Sequence, residues 1–210
     1  MTPTPTPLAW AGRPVVWVEA APVPEVTARV LHLVVTHPVD GPGRCELVLD
    51  NWGPTDTGIG LVLSDRHLLD CGRTLTVELG GGTVFSGLVS AVEERYPADL
   101  PPRLVLHAHT RRTTGRPAAA PARGVVALTV GQELIQLSLV RRTSDRHLHI
   151  TGTGTTPADA RLHPGAVVHI TGAAADLNTD YRITAVEHTF DTTTAGRSTI
   201  HIDHTDDGQP

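Results

Sequence analysis

From Val26 onward, apolar and polar residues alternate in short runs, as in TLTVEL (74–79), LVLHAH (104–109), VVHIT (167–171) and TIHID (199–203), with Gly, Pro, Asp and Thr between them. A period of two sends successive side chains to opposite faces, which is the pattern of half-buried strands. It predicts strands near 27–36, 44–50, 74–79, 83–96 and 103–109. A second set is predicted near 125–129, 132–142, 146–152, 166–171, 180–190 and 198–204. The segment 56–70 is ambiguous and leaves room for a short helix. The expected fold class is all-β, with at most short helices.

Two stretches lack this rhythm. Residues 1–24 are rich in Pro and Thr and read as an extended arm, with order beginning near Val26. Residues 110–124, TRRTTGRPAAAPARG, offer neither period two nor a capped helix and read as a linker. The expected organisation is therefore an arm (1–24), a first β-module (25–110), a linker (111–124), a second β-module (125–205) and a short tail (206–210).

The two halves echo each other. SAVEERY (90–96) is answered by TAVEHTF (184–190): Ala91-Val92-Glu93 corresponds to Ala185-Val186-Glu187, and His107 to His201, both at an offset of 94 residues. Gly72 in CGRTLTVELG corresponds to Gly165 in PGAVVHITG at an offset of 93. Three anchors in order at a nearly constant offset point to tandem duplication of one module. Two ordinary β-domains that share turn chemistry are the alternative.

The stretches carrying these anchors resemble the baseplate hub family of contractile tails, which includes phage late control protein D and the N-terminal, hub-like part of type VI secretion spike proteins. The resemblance lies in LHPGAVVHITG, NTDYRITAVEHTF and GRSTIHI, and in CGRTLTVEL, TVFSGLVSAVEERY and LVLHAH. Its marks are Pro164-Gly165, Phe85 with Gly87, Tyr181, and His188 with Phe190. Two positions depart from the family habit: Thr179-Asp180 precede Tyr181 where a Gly is common, and Arg197 follows the final Gly in place of an aromatic. The family's long middle section is also missing, so this is a shortened form.

The resemblance implies that each module is a small β-barrel related to the tail-tube subunit. It further implies a homotrimer whose six barrels form a pseudo-six-fold ring joining the inner tube to a three-fold spike. The implied partners are a spike protein, an inner tube protein and other baseplate proteins. The implied place of assembly is the bacterial cytoplasm, within a phage virion or a contractile injection particle. The function implied is that of a structural hub, without enzyme activity.

Composition narrows the alternatives. All 17 basic residues are Arg and the net charge is -5, which disfavours a nucleic-acid partner. No apolar run approaches bilayer length and no export signal is read, so membrane insertion is not expected. Cys45 and Cys71 lack C-x-x-C spacing and read as buried thiols. Three Trp and two Tyr are few for a carbohydrate-binding pair of β-sandwiches, the runner-up function.

Candidate chemistry is sparse. His107 with His109, and His147 with His149, form i, i+2 pairs that could chelate a metal, but alternation with aliphatics already explains them as outward-facing residues. Glu93, Glu94 and Glu187 lie on polar strand faces and could pair as acid and base in a hydrolase, the third reading. Gly80-Gly81-Gly82 reads as a hairpin turn rather than a phosphate loop. Arg111-Arg112 and Arg141-Arg142 read as solvated or inter-subunit charges. No catalytic, cofactor or metal residue is assigned, and no cofactor is expected.

Overall fold

The computed structural model describes residues 12–63, 68–110, 124–144 and 147–206. These residues are nearly all strand. The first half runs β1 (Val15–Val18), β2 (Ala21–Pro22), helix α1 (Pro24–Ala28), β3 (Val30–Pro38), β4 (Arg44–Asp50), β5 (Trp52–Thr55), β6 (Gly58–Leu61), β7 (Thr74–Leu79), β8 (Gly82–Arg95) and β9 (Arg103–His109). The second half runs β10 (Val126–Thr129), β11 (Gln136–Ser144), β12 (His147–Pro157), β13 (Val167–Thr171), a one-turn 3-10 helix (Ala175–Leu177), β14 (Asp180–Asp191) and β15 (Ala195–Asp206). Thirteen strands join one sheet in the order β11-β12-β15-β14-β3-β4-β9-β8-β7-β1-β2, with β13 branching from β14 and β10 from β13; β5 and β6 form a separate hairpin.

The all-β expectation holds, and the strands at 44–50, 74–79 and 103–109 fall where periodicity places them. The arm is corrected over residues 12–24; residues 1–11, like the expected linker over 111–123, lie outside the described residues. Val15–Val18 pairs antiparallel with β7, and Val16 and Val18 are buried, so order begins well before Val26. VVWV is a short, wholly apolar run whose burial alternates, with Val16 and Val18 turned inward, and the Glu19-Ala20 turn at positive φ returns the chain beside it. A short helix lies at Pro24–Ala28: Pro occupies its first turn with Glu25 beside it, and Val26 is fully buried. Of the ambiguous segment 56–70, residues 56–61 belong to the β5–β6 hairpin, and residues 64–67, within the stretch left open for a short helix, lie outside the described residues. At 130–135 a turn replaces the start of the expected strand, because Gly131 takes φ +81° and the Glu133 carboxylate accepts the Thr129 N–H (3.0 Å). β12 runs on to Pro157, past the expected strand end near 152.

The repeat recurs in the strand ladders. β7-β8-β9-β4-β3 and β13-β14-β15-β12-β11 are the same order of hydrogen-bonded neighbours. Gly72 donates to the Val89 carbonyl and Gly165 to the Ile183 carbonyl, both at 2.8 Å. Val89 N–H answers to Arg73 and Ile183 N–H to Ala166, both at 2.9 Å. Both glycines take φ +85°. Each half then carries a register shift at the matching place, between Val89 and Ala91 and between Ile183 and Ala185. Past the bulge, Ala91 faces His107 and Ala185 faces His201. A bulge redirects a strand, so placing the same bulge in the same strand bends both halves alike.

Each half closes on its own apolar cluster. The first centres on Leu33, Leu47, Leu75, Val77, Phe85 and Leu106; the second on Leu134, Ile150, Ile170, Tyr181, Ile183 and Ile200. Phe190 and Ala158 of the second half pack into the first cluster.

Candidate functional site

The two halves meet where β14 pairs with β3, from Ala185 opposite Pro38 to Asp191 opposite His32. Beside this seam the Gly80-Gly81-Gly82 segment forms the β7–β8 turn, as expected, with Gly80 and Gly81 at positive φ. A Cβ on Gly80 would stand 2.2 Å from the Ala158 carbonyl oxygen. A side chain there would push the second half away from the first.

A shallow cleft of about 230 Å³ opens at the seam, lined by His37, Phe85, Leu162, His163 and His188 among others. The His37 Nε2–H donates to the Val84 carbonyl (2.6 Å), and the His37 ring stacks on Phe85 at 6.5 Å between centroids. His188 meets His37 edge-on at 6.3 Å and shares a 2.8 Å hydrogen bond between its Nδ1 and Ser198 Oγ. Burial first, and the neighbouring His37 second, lower the His188 pKa from 6.5 to about 4, opposed by Asp159 and the Leu162 backbone.

A serine beside a histidine invites a catalytic reading, and the geometry argues against it. Ser198 is fully buried, and its Oγ already accepts the Asp159 N–H at 3.0 Å. The Asp159 carboxylate is held by Arg161 (2.6 Å) rather than by His188. A nucleophile needs an exposed oxygen, a base and a third group orienting that base. Here the trio braces β14, β15 and the 158–162 loop. Its hydrogen bonds satisfy polar groups that burial would otherwise penalise.

The histidine pairs stay apart as chemistry. His107 lies half-exposed between Glu93 (3.3 Å) and Glu46 (3.8 Å), while His109 is exposed. His149 Nδ1 bonds Thr205 Oγ1 (3.1 Å), and the His147 side chain lies outside the described residues. Among the described residues no group of three or more His, Cys, Asp or Glu is disposed to hold a metal ion. The Glu93 carboxylate is lowered to about 2, chiefly by the Arg95 hydrogen bonds (2.7 and 2.9 Å) and then by His107. A carboxylate so held is a poor proton donor at neutral pH. Glu94 accepts from Tyr96 Oη (2.6 Å), and Glu187, in the other half, is partly covered by β3. Arg141 pairs with Asp176, Arg142 is exposed, and Arg111 and Arg112 lie outside the described residues.

One thiol expectation is corrected. Cys45 is buried, and burial raises its pKa, but Cys71 is exposed because it sits in the turn before β7 rather than in a strand. The buried His188–Ser198 pair went unread in the sequence. His188 alternates with Val186 and Phe190, a signal that it shares their inward face. No helix among the described residues is long and apolar enough to cross a membrane.

No protein-family model matches the chain, and no curated protein matches it in sequence. Solved structures do resemble it. The tail protein from Neisseria meningitidis MC58 superposes with a TM-score of 0.59 at 8% identity, covering 93% of this chain and 96% of that one. The 43 kDa tail protein of prophage MuSo2 from Shewanella oneidensis gives 0.60 at 9%, covering 90% and 97%. An E. coli protein, a component of the type VI secretion system with structural similarity to the T4 bacteriophage tail proteins gp27 and gp5, gives 0.55 at 11%, covering 83% and 73%. At these identities the likeness is one of fold: the chain has the all-β fold of phage tail and type VI secretion proteins.

Proposed function

We propose that the chain is a structural hub of a phage tail or a related contractile injection system, built from two duplicated tube-like barrel modules, the first running from the β1 strand at Val15 to 110 and the second spanning 125–205. Three copies would form a ring of six modules, with a six-fold inner tube on one side and a three-fold spike on the other. The observation that carries this reading is the repeated ladder, with its paired glycines and paired bulges, in a chain whose fold is that of tail proteins. A heterologous contact closes a ring only when each step turns by the same angle, so a duplicated module lets three chains present six equivalent surfaces. The buried His188–Ser198 pair and the dispersed carboxylates support a mechanical role over a catalytic one. Spike, tube and other baseplate proteins are the partners that this reading requires, with assembly in the bacterial cytoplasm.

The test is imaging of the assembled particle, or of the chain co-expressed with its neighbouring tail proteins, at a resolution that separates subunits. Three chains and six similar barrels about one axis are expected. A monomer, a dimer or a ring of six whole chains overturns the reading.

A further inference from the structure

The seam between the halves predicts a second seam between copies. Within one chain the outer edge of β3 is covered by β14 over residues 185–191. The strand equivalent to β14 in the first half is β8, 94 positions earlier, and there residues 91–95 pair only with β9. Stepping outward through the matched ladders, from β8 to β9, β4 and β3, and from β14 to β15, β12 and β11, makes β11 the equivalent of β3. Val30 then corresponds to Leu134, both fully buried, and Val35 to Leu139. Yet β11 pairs only with β12, and its other edge has no strand among the described residues.

Exposure marks the same difference. In β14, Val186, His188 and Phe190 are buried, whereas of the equivalent stretch in β8 Ala91, Glu93, Glu94 and Arg95 are exposed and Val92 is partly so. In β3, Leu33 and Val35 are buried, whereas in β11 their equivalents Leu137 and Leu139 are partly exposed and Val140 is 47% exposed. Each half thus shows bare the surface that its twin has covered.

We infer that the free edge of β11 (136–142) takes the free edge of β8 (91–95) of a second copy of this chain, antiparallel, in the register that β3 and β14 already use. Carried across, that register sets Ala91 opposite Arg142 of the second chain, Val92 opposite Arg141, Glu93 opposite Val140, Glu94 opposite Leu139 and Arg95 opposite Ser138. Charges complement each other. Arg142 falls diagonal to Glu93 and Arg141 diagonal to Glu94, on matching faces, and diagonal neighbours about 7–8 Å apart lie within reach of long side chains. The present partners of these groups, Arg95 for Glu93 and Asp176 for Arg141, are exposed ion pairs that exchange at little cost. Unpaired edge N–H and C=O groups are the liability that such pairing removes. The joint is heterologous, leaving one free β8 and one free β11 edge at the ends of any open chain, so copies add head to tail. The pairing stands on the fold alone; only the count of three rests on the hub reading.

Disulfide trapping in the full chain tests it. In a Cys71→Ser background, one tagged chain carries Glu93→Cys and a differently tagged chain carries Val140→Cys; Cys45 stays buried. Facing residues bring Cβ atoms to about 4.5–5.5 Å, near disulfide range, whereas a control with Leu137→Cys lies three residues away, roughly 10 Å along the strand. Mixed at high concentration and also co-expressed, the chains should yield a cross-linked heterodimer at least tenfold more abundant for 93–140 than for 93–137. No 93–140 product in either setting, or equal yields for the two pairs, overturns the joint. A three-chain ring without the register-specific product removes the joint and leaves the hub reading. The product in a filament, or in a ring of another count, keeps the joint and removes the hub reading.

Discussion

His188 and Ser198 face each other across β14 and β15, Nδ1 to Oγ at 2.8 Å, with no path to solvent for the serine. The histidine is held neutral by burial and by His37. Its folded pKa, about 4, lies below the ordinary 6.5. A lowered histidine pKa means that the unfolded chain binds the extra proton first. Stability is therefore fully present above about pH 6.5 and is lost as pH falls toward 4. One such group gives a slope of up to about 1.4 kcal/mol per pH unit in that window. His37, His163 and Asp159 surround it, and Asp159 tempers the shift. Urea unfolding at pH 7.5 and pH 5 should show the loss, and His188→Gln should flatten the difference. An unchanged slope in the variant would remove His188 as its source.

Ser198→Ala deletes the partner of that ring and of the Asp159 N–H together. Leaving buried polar groups unsatisfied costs about 1–3 kcal/mol. Equilibrium unfolding near pH 7.5 measures it. A change below about 0.5 kcal/mol would mean that the network is not needed to hold the 158–162 loop against β15.

Two glycines separate backbone strain from steric closeness. Gly72 takes φ +85° with open space where a Cβ would go, so Gly72→Ala should cost on the order of 1 kcal/mol, from the conformation alone. Gly80 combines φ +63° with a 2.2 Å clash against the Ala158 carbonyl, a backbone atom that cannot swing aside. Gly80→Ala should therefore cost clearly more, and should loosen the seam. Thermal unfolding of the two variants side by side gives the comparison, and equal losses would show that the halves are not pressed together at this turn.

Much of this architecture was legible because strands write their period into the chain. TLTVEL and LVLHAH became β7 and β9 at their expected bounds, and the Gly72/Gly165 and Ala91/Ala185 anchors marked structurally equivalent points. Local turns were harder. The Glu133 cap and Gly131 conformation that delay β11 depend on a side chain reaching back four residues, which periodicity does not report. Burial of His188 depends on β3 lying across β14, a contact between residues about 150 positions apart. The exposed edges of β8 and β11 were invisible for the same reason, since a strand's pattern does not say how many neighbours it has.

Cysteine reactivity should divide sharply. Cys45 is buried and its thiol is pushed up by desolvation, with Glu46 adding to the shift, whereas Cys71 is exposed beside the Ser90 carbonyl. Only a thiolate that solvent reaches reacts quickly. A water-soluble maleimide should label one site per native chain, lost in Cys71→Ser, and a second only on denaturation. Fast native labelling of Cys45 would mean that the β3–β4–β9 region opens far more readily than its packing implies.

The first strand gives the last prediction, because Pro-rich flanks make it look dispensable. Val16 is fully buried in the first cluster, its N–H is bonded to Thr27 Oγ1 (2.9 Å), and its carbonyl accepts from Val23 (2.9 Å). The Glu19 N–H reaches Thr74 (3.0 Å), and the Glu19 carboxylate accepts the Thr74 N–H (2.7 Å). β1 is thus fastened to β7 at one end and to α1 at the other. Amide exchange in the native chain should find Val16 protected, and Thr27→Val should release that protection while costing about 1 kcal/mol, the usual net worth of one hydrogen bond. Val16→Ala should cost more, about 1–3 kcal/mol, through lost burial and the cavity left behind. Rapid exchange at Val16 in the native chain, or no penalty for Val16→Ala, would return this segment to the status of a loose arm and leave β7 as the true edge of the sheet.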